Sequence, residues 1–340
     1  MDFGASAWRS GMTGTLFVAA VCIGVFAVAA PGYSDSFIKG AVPSETGFDG
    51  DVLFADHHES HAASAFYPSP FSNAAIITLD GVGEWSTLTY GVGEGNKIRL
   101  MKEIRFPHSI GLLYSAFTYY TGFRVNSGEY KLMGLAPYGE PVYVDLIKEH
   151  LVHIKPDGSF KLNQRYFNYC AGLTMTNERF HHLFGHPPRS SESPIEQFHM
   201  DAARSIQAVT EEIILKIANH VQEQTKARYL CLAGGVALNC VANGKIARHG
   251  PYEKIWIQPA ASDSGGALGA ALAVWYNHLG NPRIVDGQHD VQKSSLLGSA
   301  FSDAQIKAFL DSRNAVYTYL SDAELLERAA AILADEKEIG

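Results

Sequence analysis

Residues 229–279 read YLCLAGGVALNCVANGKIARHGPYEKIWIQPAASDSGGALGAALAVWYNHL, and this stretch decides the fold. It alternates short aliphatic runs with glycine turns and helical runs, a pattern typical of strands that are joined through helices. The predicted order is a strand, a glycine turn, a helix, a second strand, an acidic loop and a small-residue helix: 229–233, 234–235, 236–248, 254–257, 259–263 and 265–279. This order predicts an α/β layer with functional loops at the carboxyl ends of its strands.

The sequence before this stretch predicts a meander and further helices. Residues 74–80, AAIITLD, indicate a buried strand, and residues 85–92 and 98–106 alternate as two following strands. A short strand is expected at 51–55, and a loop-rich insertion with a few helical turns at 140–200. Helices are predicted over 57–66, 107–121 and 204–224.

The composition excludes several classes of protein. The chain of 340 residues is 46% hydrophobic and 18% charged, which is typical of a globular protein. Its net charge of -8 and the lack of basic clusters between aromatic residues exclude nucleic acid as an expected partner. The four cysteines have no C-x-x-C spacing, so the sequence predicts neither a zinc ribbon nor a disulfide framework. The apolar run 16–30 has the outline of a signal peptide, but it is shorter than the roughly 20 residues of a membrane span.

A histidine-rich segment at residues 56–61, DHHESH, suggests a metal site. His57 and His61 stand at i and i+4, so on a helix their imidazoles project from one face and can share a metal ion. A zinc peptidase would need the glutamate directly after the first histidine, whereas Glu59 comes two places after His57. The spacing therefore excludes that peptidase motif and leaves a metal site or a solvated helix face.

Acidic and glycine residues follow the predicted strands. Asp80 ends a strand before Gly-Val-Gly, so its carboxylate can bind a cation while backbone N–H groups approach a phosphate. Gly234 and Gly235 follow the next parallel-type strand, with a helix amino end behind them that can seat an anion. Asp263 stands just before a helix. The alternatives are a hairpin turn, an ordinary glycine turn and a helix N-cap.

Five ordered motifs carry a resemblance to a known family: HHESHAASAFYPSPF (57–71), ITLDGVGEWST (77–87), SGEYKLMGLAPYG (127–139), LAGGVALNCVANGKI (232–246) and SDSGGALGAAL (262–272). Together they resemble the O-carbamoyltransferases of the nodulation and antibiotic-tailoring type. The main domain of that family is similar to the tRNA threonylcarbamoyl transferase subunit. The resemblance runs from about residue 51 to the end. It implies an α/β fold of the actin, hexokinase and Hsp70-like kind, with two ribonuclease-H-like halves around a nucleotide cleft.

The resemblance also implies the ligands of the site. A divalent metal, commonly iron, manganese or zinc, would be held by His57, His61, Asp80 and Asp263. This mixed nitrogen and oxygen set agrees with such a metal and argues against one selected by thiolates. ATP or carbamoyl adenylate with magnesium would have its phosphates lined by the two glycine motifs, at Gly81, Gly83, Gly234, Gly235 and Asn239.

Family members use carbamoyl phosphate and ATP to make carbamoyl adenylate, and they pass the carbamoyl group to a hydroxyl of a small molecule such as a sugar, an antibiotic or a lipo-oligosaccharide. Glu129 and Lys131 are candidates for the nucleoside or carbamoyl side, with a charged pair on a first helical turn as the alternative. The acceptor hydroxyl must lose its proton, for which His58 and Glu59 are the candidate bases.

The resemblance divides the chain into three expected parts. Residues 1–50 depart from the family pattern, residues 51–300 form the carbamoyltransferase main domain, and residues 301–340 form a linker and the start of an adenylate-forming domain. We therefore expect a cytoplasmic chain, truncated at both ends, with one complete half, part of the other and mainly the transfer step. The alternatives are a sugar kinase or ATPase of the same fold and a non-catalytic remnant.

Overall fold

The computed structural model describes residues 53–293, 295 and 298–339, and its main feature is a mixed sheet of five strands. The strands in chain order are β1 Asn73–Gly83, β2 Ser86–Glu94, β3 Lys97–Arg105, β4 Val152–Ile154, β5 Phe160–Leu162, β6 Tyr229–Ala233 and β7 Lys254–Ile257. The order across the main sheet is β3-β2-β1-β6-β7. Strands β1 to β3 form an antiparallel meander, while β6 and β7 run parallel to β1, so the α/β layer and the meander are both confirmed.

Helices pack on both faces of this sheet. The helices of the first unit are, in chain order, α1 His57–Phe66, α2 Ile110–Tyr120, α3 Glu129–Leu135, α4 Val144–His150, α5 Glu178–Phe184, α6 Gln197–Thr225, α7 Cys240–His249 and α8 Asp263–Leu272, and those of the second unit, described below, are α9 Asp303–Ser312 and α10 Asp322–Ala334. Helices α2 and α6 share the larger hydrophobic core with one face of the sheet, and α1 shares the smaller core with the other face. Helix α8 packs against α1.

The central strand β1 distributes its side chains between the two cores by simple alternation. Ala75, Ile77 and Leu79 point into the larger core, whereas Ala74 and Ile76 belong to the smaller core beside α1. Because alternate residues of a strand share a face, Thr78 and Asp80 also lie on the α1 face. The strand therefore reads as a continuous apolar run that ends in a carboxylate aimed at α1.

The structure corrects several predicted boundaries. Residues 53–55 of the strand expected at 51–55 are not in a strand, and residues 51 and 52 lie outside the described residues, as does the apolar run 16–30. The helix expected at 204–224 begins earlier, at Gln197. The one expected at 236–248 divides into a 3-10 turn and α7, because the Asn239 side chain caps α7 at Ala242. The last predicted helix begins at Asp263 and passes into a π-helical turn.

The insertion at 140–200 contains more order than the sequence predicts. Two short strands, β4 and β5, pair as an antiparallel hairpin with Val152 opposite Leu162. Three-residue strands give too short an alternation to be recognised from sequence. Among the described residues, none of the helices combines the length and the apolar content that crossing a membrane requires.

A second, smaller unit begins at Leu296 and contains α9 and α10. Each of these helices begins with a capping box of two reciprocal hydrogen bonds. A serine side chain accepts from the backbone amide of the N3 residue, and the N3 side chain accepts from the backbone amide of the serine. The pairs are Ser302 with Gln305 and Ser321 with Glu324. Their sequence therefore specifies where both helices start.

The half-buried side chain of Arg283 links the segment after the π-helical turn to the smaller core. The Arg283 guanidinium lies 4.3 Å from the Phe66 ring centroid, and burial lowers its pKa. It donates to the backbone carbonyls of Phe66, Tyr67, Ser69, Phe71 and Gly95. One guanidinium thereby provides hydrogen-bond donors to the carbonyl groups of residues 66–71, at and after the end of α1, and to that of Gly95.

Replacing Arg283 by alanine is expected to lower the free energy of unfolding by about 3 kcal/mol, since buried carbonyl groups lose their donors. Urea unfolding followed by circular dichroism measures this change. Arg228→Ala is the control, because Arg228 pairs with Glu253 on the surface, where ion pairs contribute little. Equal unfolding midpoints for the two variants would show that the carbonyl contacts of Arg283 do not stabilise the fold.

Candidate metal and transfer site

Four side chains from three distant segments converge beside the carboxyl end of β1. One ligand atom from each of His57, His61, Asp80 and Asp263 lies within 4.8 Å of all the others. His57 Nε2 is 2.9 Å from Asp80 Oδ2 and 3.5 Å from Asp263 Oδ1. His61 Nε2 is 3.4 Å and 3.6 Å from the same two oxygens. The predicted i, i+4 pair thus meets both predicted aspartates around one point.

The charges around this point fit a divalent cation. Two carboxylates converge there, and like charges at such short separation repel each other unless a cation lies between them. Burial alone would lower the pKa of His57, but the Asp80 carboxylate outweighs it and raises that pKa. Burial would raise the pKa of Asp80, but hydrogen bonds from His57 and His61 hold it well below its usual range. Two imidazoles and two carboxylates are donors that iron, manganese and zinc accept.

The neighbouring residues fix which atoms face the metal point. His61 is fully buried, and among the described residues its Nδ1 has no hydrogen-bond partner, so Nε2 is the nitrogen turned towards the aspartates. The amide of Gly235 donates to Asp80 Oδ1 at 3.1 Å, which leaves Oδ2 for the histidines. Contacts of this kind orient metal ligands in proteins. The parallel pairing of β1 with β6 places that amide there.

The two glycine motifs lie at adjacent strand ends. Gly81 and Gly83 belong to the last residues of β1, and Ser109 donates to the carbonyl groups of Asp80 and Gly81 while it caps α2. Gly234 has a φ of 90°, and a side chain there would meet the Leu79 carbonyl, so the turn requires glycine. The motifs are therefore neighbours in space, as expected for loops that follow paired parallel strands.

His58 is held by hydrogen bonds on both sides of its ring. The Ser86 carbonyl accepts from Nε2 at 2.8 Å, so in the neutral ring Nδ1 accepts from the Thr78 hydroxyl at 2.6 Å. Thr89 in turn donates to Thr78. Burial lowers the pKa of His58 to about 4. Both nitrogens are occupied, and the residue ties α1 to β1 and β2.

Glu59 occupies a different position from its neighbour. It lies partly exposed on the first turn of α1, and its Oε1 accepts from the Asn277 side chain at 2.7 Å. This contact, from a residue 218 positions later, fixes the direction of the carboxylate. Glu59 also lines a cavity together with His57. Of the two candidate bases, Glu59 is the partly exposed one, whereas His58 is buried with both ring nitrogens hydrogen-bonded.

The remaining predicted residues are not members of the four-residue cluster. Glu129 accepts from the Ser115 hydroxyl and the Asn126 amide, so it braces the loop before α3, and Lys131 is exposed on that helix. The buried side-chain amide of Asn239 donates to Gln207 Oε1 at 2.9 Å and accepts from Gln207 Nε2 at 3.0 Å. Its side chain therefore holds the glycine turn against α6.

Three residues that contribute here were not singled out from the sequence: Ser109, Gln207 and Asn277. Ser109 precedes an apolar run, which is a recognisable helix-start pattern. The sequence does not indicate a role for Gln207 or Asn277, because nothing about a polar residue on a helix predicts which distant side chain it will hydrogen-bond.

Replacing Gly83 by alanine is expected to weaken divalent-metal binding at least about 10-fold with little loss of stability, because its new Cβ would lie 2.1 Å from His57 Cδ2 and would displace that ring. Gly81→Ala is the matched control, since nothing lies within 4 Å of a Cβ at that position. Isothermal titration with Mn²⁺ or Zn²⁺ measures both. The same affinity in the two variants would mean that His57 does not contribute to binding.

Comparison with known proteins identifies the family to which the chain belongs. A sheet that ends in a two-histidine, two-aspartate cluster beside glycine turns defines an α/β protein with a candidate metal centre. The sequence profile of the carbamoyltransferase N-terminus family matches residues 26–272. The chain belongs to the carbamoyltransferase family, which confirms the resemblance carried by the five motifs.

Several relatives are similar over most of the chain. An uncharacterized protein of Synechocystis sp. is 57% identical over 291 residues, which cover 85% of this chain and 47% of that protein. Nodulation protein NolNO of Sinorhizobium fredii is 33% identical over 89% of this chain and 43% of its own length. The chain thus spans about half the length of the curated relatives it matches. The crystal structure of T. kodakarensis HypF aligns with a TM-score of 0.35 at 15% identity, over 74% of this chain and 40% of that one, a similarity too low to support an argument.

Proposed function

We propose that this chain performs the transfer step of an O-carbamoyltransferase, in which the carbamoyl group of carbamoyl adenylate passes to a hydroxyl of a small polyol. The observation that carries the proposal is the convergence of His57, His61, Asp80 and Asp263 on one point. Family membership supports carbamoyl transfer, and the cluster supports a divalent cation as the Lewis acid. In this proposal carbamoyl phosphate supplies the carbamoyl group and ATP supplies the adenylate, and we expect the reaction in the cytoplasm, where ATP is available.

The sheet supports the expected nucleotide-binding architecture. We propose that the three antiparallel strands extended by two parallel ones, with helices on both faces, form one ribonuclease-H-like half. In this proposal the amides after Gly81, Gly83 and Gly235 line the phosphates, and Lys131 offers its exposed ammonium to them. Asn239 and Glu129 act indirectly, by holding the glycine turn and the loop before α3.

The proposed transfer step uses the residues beside the metal point. The acceptor oxygen forms a bond to the carbamoyl carbon, the bond from that carbon to the adenylate phosphate oxygen breaks, and AMP leaves. Glu59 takes the hydroxyl proton, oriented by Asn277, since His58 has no free nitrogen. The bound cation supplies Lewis-acid polarisation, and His57, His61, Asp80 and Asp263 would hold it.

The test supplies the metal-loaded chain with carbamoyl adenylate, formed enzymatically from ATP and carbamoyl phosphate in the same vessel, and with glucosamine as the acceptor. Mass spectrometry is expected to detect a carbamate ester that depends on the chain and falls at least about 100-fold with Glu59→Gln. Absence of the ester, with metal and adenylate both shown to be present, would overturn the proposal.

A further inference from the structure

A cavity of about 350 Å³ opens beside the metal point, between the start of α1 and the strands β2 and β3. We refer to it as the α1–β3 cavity. Its wall on the α1 side includes His57 and Glu59, and its opposite wall is formed by β3 from Leu100 to Arg105. The turn from Gly83 to Ser86 closes one end. The α1–β3 cavity therefore shares His57 with the metal cluster.

The α1–β3 cavity combines one aromatic ring with several carboxylates. Trp85, in the turn between β1 and β2, leaves 50% of its surface exposed, although an indole of this size is usually buried. The acidic residues that line the cavity are Asp56, Glu59, Glu84 and Glu103. The basic ones are Lys102 and Arg105, and Arg105 is paired with Glu103 at 2.6 Å. The balance of charge in the cavity is negative.

These features define a ligand chemistry. A flat exposed indole offers a stacking face to the C–H side of a saturated ring, and carboxylates accept hydrogen bonds from hydroxyl and ammonium groups. A ligand that carried its own carboxylate, sulfate or phosphate would meet like charges and lose affinity. A cyclic polyol that is neutral or bears amines fits the lining, whereas an acidic one does not.

We infer that the α1–β3 cavity binds the hydroxyl acceptor and selects neutral and amine-bearing cyclic polyols over acidic ones, with Trp85 as the stacking surface and Asp56 as the determinant of the preference for amines. The inference rests on the proposed function for the role of the ligand as acceptor, but its binding can be measured separately. A hydroxyl of a ring stacked on Trp85 lies in the same cavity as Glu59 and His57, which are the proposed base and one side of the metal cluster.

The test measures binding to the full metal-loaded chain by saturation-transfer NMR. The probes are glucosamine, methyl glucoside and glucuronate. Glucosamine and methyl glucoside are expected to bind, and glucuronate at least about 10-fold more weakly. Trp85→Ala is expected to weaken binding of the first two about 10-fold, and Trp85→Phe less. Asp56→Asn should weaken glucosamine binding alone, because Asp56 is exposed and caps α1 with no side-chain hydrogen bond.

The matched control is Trp275→Ala, since that indole is 52% exposed and lies outside the cavity lining. Any of four results would overturn the inference. Trp85→Ala could keep the wild-type affinity, or lose as much affinity as Trp275→Ala. Glucuronate could bind as tightly as the other two probes, or no probe could bind. Binding that depends on Trp85 without ester formation would contradict the proposed function only. Ester formation with an acceptor KM that does not respond to Trp85→Ala would contradict the cavity assignment only. Unchanged metal content in each variant shows that the fold is intact.

Discussion

Replacing Asp80 by asparagine is expected to lower the affinity of the chain for a divalent cation at least about 100-fold. Oδ2 of this carboxylate is hydrogen-bonded to both histidines, and Oδ1 accepts from the Gly235 amide. Asp80 is therefore the residue on which the cluster depends. An amide keeps the shape but removes the charge, and its nitrogen cannot accept from either imidazole. Metal analysis after dialysis and calorimetric titration with Mn²⁺ and Zn²⁺ measure the loss.

The control for this experiment is a second aspartate–histidine pair in the same unit. Asp286 Oδ2 lies 2.8 Å from His289 Nδ1, but both side chains are exposed and neither belongs to the four-residue cluster. Asp286→Asn is therefore expected to leave metal content unchanged. If Asp80→Asn retained full metal content, the four side chains would not be a metal centre, and the proposed transfer step would lose its Lewis acid.

Replacing Gly269 by alanine is expected to lower the free energy of unfolding by about 3 kcal/mol and to reduce metal binding in the same variant. A Cβ at Gly269 would lie 1.8 Å from the Ser60 carbonyl oxygen, so α8 can approach α1 only when this residue has no side chain. Helix α1 carries His57 and His61, while α8 begins at Asp263. Separating the two helices therefore disturbs the core and the cluster together.

A matched variant tests whether the effect comes from the helix contact or from the loss of glycine. Gly134→Ala is also in a helix, but nothing lies within 4 Å of a Cβ there, so we expect it to stabilise the chain by about 0.5 kcal/mol. Urea unfolding and metal titration apply to both variants. A Gly269→Ala protein with the stability and metal content of the wild type would show that α1 and α8 do not need this close approach.

Much of the fold could be predicted because its signals are local. Strands β6 and β7 were predicted at their observed bounds, since each is a short aliphatic run between turn residues. Helix α1 followed from composition and from the prolines after it. The helix predicted at 236–248 had the wrong start because a side chain within that run decides it: Asn239 follows the 3-10 turn and caps α7.

The sequence by itself determined that two imidazoles share a helix face and that carboxylates and glycines stand at strand ends, since these facts depend only on helical and strand periods. Only the tertiary structure decided that Asp263 reaches the histidines, through the contact of α8 with α1, and that the Gly235 amide holds Asp80, through the pairing of β6 with β1. It also distinguished His58 from Glu59: Thr78 and Ser86 occupy both nitrogens of the buried His58 ring, whereas the Glu59 carboxylate is partly exposed and accepts from Asn277. The physical reason is that hydrogen bonds and Coulomb forces act over a few ångströms, and only packing brings residues so distant in the chain within that range.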